Sequence, residues 1–289
     1  MTEVAAEARP ARDPRGGLRW WKEVILAAGI YLVYSFVRNQ FGSAGGDPGP
    51  AYGHALDVIE VEEWLRLYFE PDLQQWYLDL PADGLIRLWN VYYGIAHFLV
   101  TFVALVWMFR RAEAGRYRLL RNTLAFTTGL AVIGFAAYSL MPPRLLDDPG
   151  EFGGCQIYAP DAAATAEPGA LTAPGCDRFG YVDTIAEYGG WISFGNEGMK
   201  DVSNQYAAMP SMHIGWSVWS MIVLLPLVRR RWAKALVVAY PILTLTCIVL
   251  TANHYWIDGV GGLVCLAAGF GLARLVTRPR AEVAVGPAR

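Results

Sequence analysis

Two histidines and an aspartate are the residues of this 289-residue chain best suited to chemistry. His213 stands in AAMPSMHIGWS, residues 207–217, just after Pro-Ser and at the head of a long apolar run. His254 and Asp258 stand in TANHYWIDGVGG, four apart, so on a helix they share one face. A neutral imidazole nitrogen is a good nucleophile toward phosphorus. A carboxylate one turn away holds the ring's tautomer and stabilises the cation that forms. A second histidine, titrating near neutrality, can protonate a leaving oxygen. Arginine matches phosphate oxygens in a planar fork, and Arg144, in SLMPPRLL, and Arg38 are the candidates. Ser211 opens the helix carrying His213, and a helix start favours an anion. His97, Asn90 and Asn253 are candidate pocket-lining groups. Each residue also has a plainer reading. His213 could sit at a membrane interface, Arg38 could snorkel, His254 and Asp258 could be a structural pair, and His97 could bond between helices. The set as a whole favours chemistry.

Long apolar segments must position these residues. The chain is 54% hydrophobic and only 17% charged, below the quarter typical of soluble domains. Eleven Trp and fifteen Tyr suit two aromatic belts. A span needs ~20 mostly apolar residues, and six segments are predicted: 21–38, 88–109, 120–141, 211–228, 233–252 and 255–276, the fourth being the shortest. The fold class is therefore an all-α integral membrane bundle of six helices. Pro226 and Pro241 are expected near helix ends, where a lost backbone bond costs little.

Basic residues orient the bundle. They cluster before 21, between 109 and 120, between 228 and 233, and after 274. Four clusters on alternate sides of six spans lie on one side, which makes that side, and both termini, cytoplasmic. Residues 1–20 read as a disordered basic arm with no cleaved signal, 21–277 as the membrane domain and 278–289 as a tail. The loops 39–87 and 142–208 then face outward. In the first, Leu56, Ile59, Trp64, Leu67 and Tyr68 recur at near-helical spacing, which predicts amphipathic helices lying on the outer surface. The second is rich in Gly, Pro, Ala and Asp, as lids and disordered segments are. Cys155 and Cys176 fall within it, on the oxidising side, and a bridge between them would be worth ~3 kcal/mol. Cys247 and Cys265 lie in spans as packing residues. On this map both histidines, Asp258, Arg144 and Arg38 share the outer depth. A net charge of −2 gives no global sign of nucleic acid binding, and no Asp/Glu/His spacing suits a metal.

MPSMHIG and NHYWIDGVGG resemble the second and third signature motifs of the type 2 phosphatidic acid phosphatase superfamily. Together with RNQFG, FEPDLQQWYL, NVYYGIAHF and PPRL, they look like actinobacterial members of its inositol phosphorylceramide synthase (aureobasidin-resistance) branch. The resemblance covers most of 30–265. It implies a six-helix bundle with His254 as nucleophile, Asp258 as its orienter and His213 as general acid, without cofactor. It also implies a lipid phosphate substrate. A polyol acceptor such as inositol would make the chain a phosphotransferase. The common pattern has a Lys where Ala137 stands, and Ser-Arg six residues before the nucleophile, where TCIVLTANH has no basic residue. Arg144, Arg38, Arg178 or Lys200 would then hold phosphate, with Arg144 the first choice. Water as acceptor would make the chain a polyprenyl or phosphatidate lipid phosphatase. A lipid-binding or transport protein without catalysis is the rival from another class. Against it, no helices interrupted in matched halves are evident. Neither the lipid, the acceptor nor the oligomeric state follows from the sequence.

Overall fold

The computed structural model describes residues 18–40, 47–81, 83–167, 169–189 and 205–277. It is built of helices, and the described residues form no β-strand beyond one isolated bridge between Leu140 and Ala207. The long helices are α1 (Trp20–Gln40), α2 (Pro48–Trp64), α3 (Glu70–Leu78), α4 (Asp83–Arg111) and α5 (Ala114–Ala137). Short turns α6 (Cys155–Tyr158), α7 (Pro160–Ala164) and α8 (Thr184–Tyr188) follow, then α9 (Met212–Leu224), α10 (Arg231–Leu250) and α11 (Trp256–Thr277). Among the described residues, four helices are long and apolar enough to cross a membrane: Gly84–Arg111, Ala114–Ala137, Arg231–Leu250 and Trp256–Thr277. That is fewer than the six predicted. α9 is apolar but only 13 residues long, because the chain breaks at Leu225 ahead of Pro226. α1 is not among the four. Residues 140 and 141, predicted as the end of the third span, lie beyond α5.

α5 and α11 pack closely because Gly269 sits against the Thr123–Thr127 backbone, where a Cβ would not fit. α4, α5, α9 and α11 share a core of Met108, Tyr117, Leu120, Trp219, Val223 and Leu266. Trp219 donates its indole N–H to the Leu120 carbonyl at 2.8 Å. α1 is tied to α5 where Arg121 meets both Glu23 oxygens at 2.7–2.8 Å.

A second core caps one end of the bundle. α2 contributes Tyr52, Ala55, Val58 and Ile59, packed with Leu140, Leu146, Tyr181, Tyr206 and Tyr255. This corrects the predicted face of α2. Ile59 is buried, but Trp64 is 80% exposed and Leu67 is exposed, while Glu62 lies fully inside. The apolar spacing misleads here because a buried acid replaces the hydrophobe the pattern expects. Pro241 is also corrected. It lies inside α10 and not near its end.

The stretch after α5 is held by named contacts. Asp147 is buried and accepts the hydroxyl of Tyr158 and the N–H groups of Phe179 and Gly180. Cys155 and Cys176 form a disulfide. Asp183 caps α8 by accepting from Ile185 and Ala186 at 3.0 Å each. The terminal arm before 18 and the tail from 278 lie outside the described residues, as does Lys200.

Candidate active site

The turn between α10 and α11 carries His254. Its backbone is fixed from both sides. The N–H groups of Asn253 and His254 both reach the Ile248 carbonyl, and Arg144 N–H donates to Ala252 O at 2.8 Å. Asn253 turns its amide back onto Thr251, bonding O and Oγ1 at 3.1 and 2.9 Å. It therefore shapes the turn through its Nδ2.

Asp258 sits in the first turn of α11 and is fully buried. Its Oδ2 accepts Tyr255 N–H at 3.0 Å and faces His254 Nδ1 at 3.2 Å. This is the reach-back of a capping box, in which an N3 acid satisfies the N-cap N–H, and it also fixes the histidine ring. Asp258 Oδ1 has no hydrogen-bond partner among the described residues. The other ring nitrogen, His254 Nε2, lies 3.2 Å from His213 Nδ1. The three side chains thus form one line: carboxylate, imidazole, imidazole. With Asp258 ionised, His254 carries its proton on Nδ1, Nε2 keeps a lone pair, and His213 donates from Nδ1.

α9 reaches this line because Gly262 lies against the Ser211 carbonyl, where any Cβ would collide. Ser211 N–H donates to the Asp258 carbonyl at 2.9 Å, locking the two helix starts together. Ser211 Oγ is buried and has no partner among the described residues. His213 is walled by α4. Tyr93 stacks on its ring at a 4.3 Å centroid distance, and His97 meets it edge-on at 4.2 Å. His97 Nδ1 contacts the Tyr93 carbonyl at 3.1 Å. Sequence spacing did not single out Tyr93, since one aromatic in an aromatic-rich helix carries no distinguishing pattern.

The remaining candidates are placed as follows. Asn90 is committed elsewhere: its amide donates to Thr184 O and Gly189 O, and its oxygen accepts from Thr184 Oγ1. It joins α4 to α8. Arg144 is anchored beside the His254 turn, but its guanidinium bonds Asp183 at 2.6 Å and Gln205 at 2.8 Å. Its Nε has no partner among the described residues. Burial acts to lower the Arg144 pKa, but Asp183, helped by Tyr93 and Asp148, brings it above the ordinary value, so the cation is held. Arg178 lies over the rings of Phe179 and Tyr158. Arg38 belongs to α1, but its side chain lies outside the described residues. Among the described residues no group of three or more His, Cys, Asp or Glu is arranged to hold a metal ion.

Chemically, the line of three residues offers a nucleophile with an oriented ring and a proton donor beside it. No curated protein and no solved structure matches the chain. The model of the PAP2 superfamily matches residues 56–272, well over half of the chain and inclusive of every residue of that line. The chain belongs to the PAP2 superfamily.

Proposed function

We propose that the chain is a membrane enzyme that transfers a phosphoryl or phospho-headgroup from a lipid phosphate through a phosphohistidine on His254. The superfamily supports phosphatase or phosphotransferase activity on phosphate substrates. The Asp258–His254–His213 line is the observation that carries the finer reading. Substrate enters between the two rings. The His254 Nε2 lone pair forms the N–P bond, and the P–O ester bond breaks with its electrons on oxygen. That oxygen takes the Nδ1 proton of His213, which acts as the imidazolium and is left as neutral imidazole. Asp258 balances the imidazolium that forms on His254. An acceptor hydroxyl then attacks phosphorus, His213 takes its proton back, and the N–P bond breaks. Ser211 Oγ and Arg144 are the groups assigned to phosphate oxygens, with Asp183 and Gln205 released from the guanidinium as phosphate binds.

A groove of about 860 Å³ supports a lipid substrate. It lies between α1, α4 and α5 and is lined by Tyr31, Tyr34, Phe98, Phe102 and Trp216 among others. Phe98 and Trp216 both touch the His97 ring, and His97 touches His213. A hydrocarbon chain in the groove would leave its phosphate near the two histidines. An alcohol acceptor such as inositol would make the reaction a phosphotransfer. The site then faces away from the cytoplasm.

The test uses purified protein with a panel of radiolabelled lipid phosphates, with chelator, with and without inositol. Wild type should form an acid-labile, alkali-stable phosphoprotein, and headgroup exchange should need inositol. Phosphate release that ignores inositol would replace the transferase reading with a phosphatase. His254→Ala should be unlabelled and inactive while remaining folded. Turnover in that variant would remove His254 as nucleophile.

A further inference from the structure

Behind the His254 turn lies a second set of acids that phosphoryl transfer does not use. Glu62, in the last turn of α2, and Glu70, the first residue of α3, are both fully buried. Glu70 accepts Trp256 N–H on Oε1 at 3.2 Å and Phe69 N–H on Oε2 at 3.0 Å. Glu62 Oε1 accepts Ile257 N–H at 3.4 Å. Trp256 and Ile257 open α11, between His254 and Asp258. Their N–H groups are among those a helix start leaves without an intrahelical partner. Two acids from the α2–α3 corner therefore cap α11 from outside, while Asp258 takes the neighbouring Tyr255 N–H from inside.

The two glutamates accept from the consecutive N–H groups of Trp256 and Ile257, which brings their carboxyls together. Ionised carboxylates only accept and they repel, so such a contact needs a proton. The donors around the pair decide which acid holds it. Both oxygens of Glu70 receive N–H groups, which suits the ionised form. Glu62 Oε2 is buried and receives no N–H or O–H from any described residue, which suits an acid hydroxyl pointing at Glu70. The charged and titratable groups that act on Glu62, or feel the pair, are Asp258 and the tyrosines 68, 181 and 255. None of them is a cation. The single negative charge is balanced by the positive end of α11.

We propose that Glu62 and Glu70, sharing one proton, act as positioning residues that clamp the first turn of α11 and hold Asp258 and His254 in register with His213. The proposal rests on His254 being the nucleophile. Burial, then Glu70, pushes the Glu62 pKa up to about 9. Above that pH the pair becomes a dianion and the clamp loosens.

The test compares Glu62→Gln, Glu62→Leu and Glu70→Gln in the full chain in lipid nanodiscs. Gln at 62 keeps a donor toward Glu70; Leu keeps bulk and loses it. In infrared difference spectra, wild type should show the carbonyl band of a buried protonated carboxylic acid, absent from Glu62→Gln. At a pH where all variants are folded, Glu62→Leu and Glu70→Gln should lose kcat by up to about 10²-fold, the scale of an ångström-level misplacement, with KM little changed. Glu62→Gln should restore most of the turnover that Leu removes and should extend the alkaline limb of kcat. A wild type without that acid band overturns the shared proton. Folded Glu62→Leu and Glu70→Gln that keep wild-type kcat overturn the positioning role. A wild type that transfers no phosphate from any lipid removes His254's role, and the positioning claim with it, while the infrared band still decides the shared proton.

Discussion

His254 Nε2 faces His213 Nδ1, and the Asp258 carboxylate faces the far nitrogen of His254. That order supports the proposed roles, and a test can separate them. A general acid contributes about 10²–10⁴-fold when the leaving oxygen is a poor leaving group. His213→Ala should therefore lose about that factor on a natural lipid phosphate and much less on a nitrophenyl ester, whose oxygen leaves unaided. His254→Ala should be inactive on both. An equal loss on both substrates for His213→Ala would reassign it to phosphate binding. Asp258→Asn should keep more activity than His254→Ala, because it orients the ring and does not attack. The His–Asp pair is legible in the sequence because four residues is one helical turn. Glu62 and Glu70 are not, because their partners Ile257 and Trp256 lie almost two hundred positions away and are backbone groups. Their burial has its own signature in stability. The Glu62 pKa rises from the ordinary 4.5 to about 9 on folding. The folded state thus holds a proton that the unfolded chain has lost. This contribution is complete below pH 4.5 and disappears as pH rises toward 9. The thermal midpoint of Glu62→Gln, relative to wild type, should therefore improve steadily across that interval. A constant difference would mean that Glu62 is ionised in the folded protein.

At the scale of elements, the site depends on how closely α11 approaches the start of α9. Gly262 permits that approach: a Cβ there meets the Ser211 carbonyl, a backbone atom that cannot swing aside. Gly262→Val should push the helix starts apart and break the Ser211–Asp258 backbone bond. We expect a loss of about 10²-fold in kcat from the displaced His213, with the protein still extractable and helical by circular dichroism. Full activity in Gly262→Val would show that the His213–His254 spacing is not set there. A second junction is the part-buried Arg144–Asp183 pair, which ties the turn after α5 to α8. Removing one partner of a fully buried pair costs about 3–5 kcal/mol, and partial solvent access lowers that here. Asp183→Ala should therefore destabilise more than Arg144→Ala raises KM, if the arginine's main work is structural. The reverse ranking would support phosphate binding by Arg144. The sequence showed the apolar helices well, since continuous hydrophobic runs need no phase. It failed on α2, where the buried face carries Glu62 and the exposed face carries Trp64. It failed again at Pro241, which sits mid-helix in α10 despite the lost backbone bond. Asn90 looked like a pocket group because it lies two turns before His97. Only the three-dimensional path of α8 shows that its amide closes a helix–turn junction.

For the whole molecule, two independent features bear on which way it faces. One is the basic residues that recur before α1, at the facing ends of α4 and α5, before α10 and at the end of α11. The other is the disulfide between Cys155 and Cys176, which follows the far end of α5 from Arg116–Arg121. Basic loops are retained in the cytoplasm, and disulfides persist in oxidising compartments. The two criteria agree on one orientation if α5 spans the membrane. The disulfide, the Asp147 contacts and the Asp183 cap then face outward together with the two histidines. A reporter fused after Arg280 should be cytoplasmic, and one inserted near Ala163 should be external. Intact cells should also shield Lys234 from a membrane-impermeant amine reagent. Under denaturing, non-reducing conditions wild type should show two free thiols, Cys247 and Cys265. Cys155→Ser should show three. Four free thiols in wild type would remove the redox argument, and an external reporter after Arg280 would remove the charge argument. If both fell, the histidine line would face the cytoplasm and its acceptor would have to be a cytoplasmic hydroxyl.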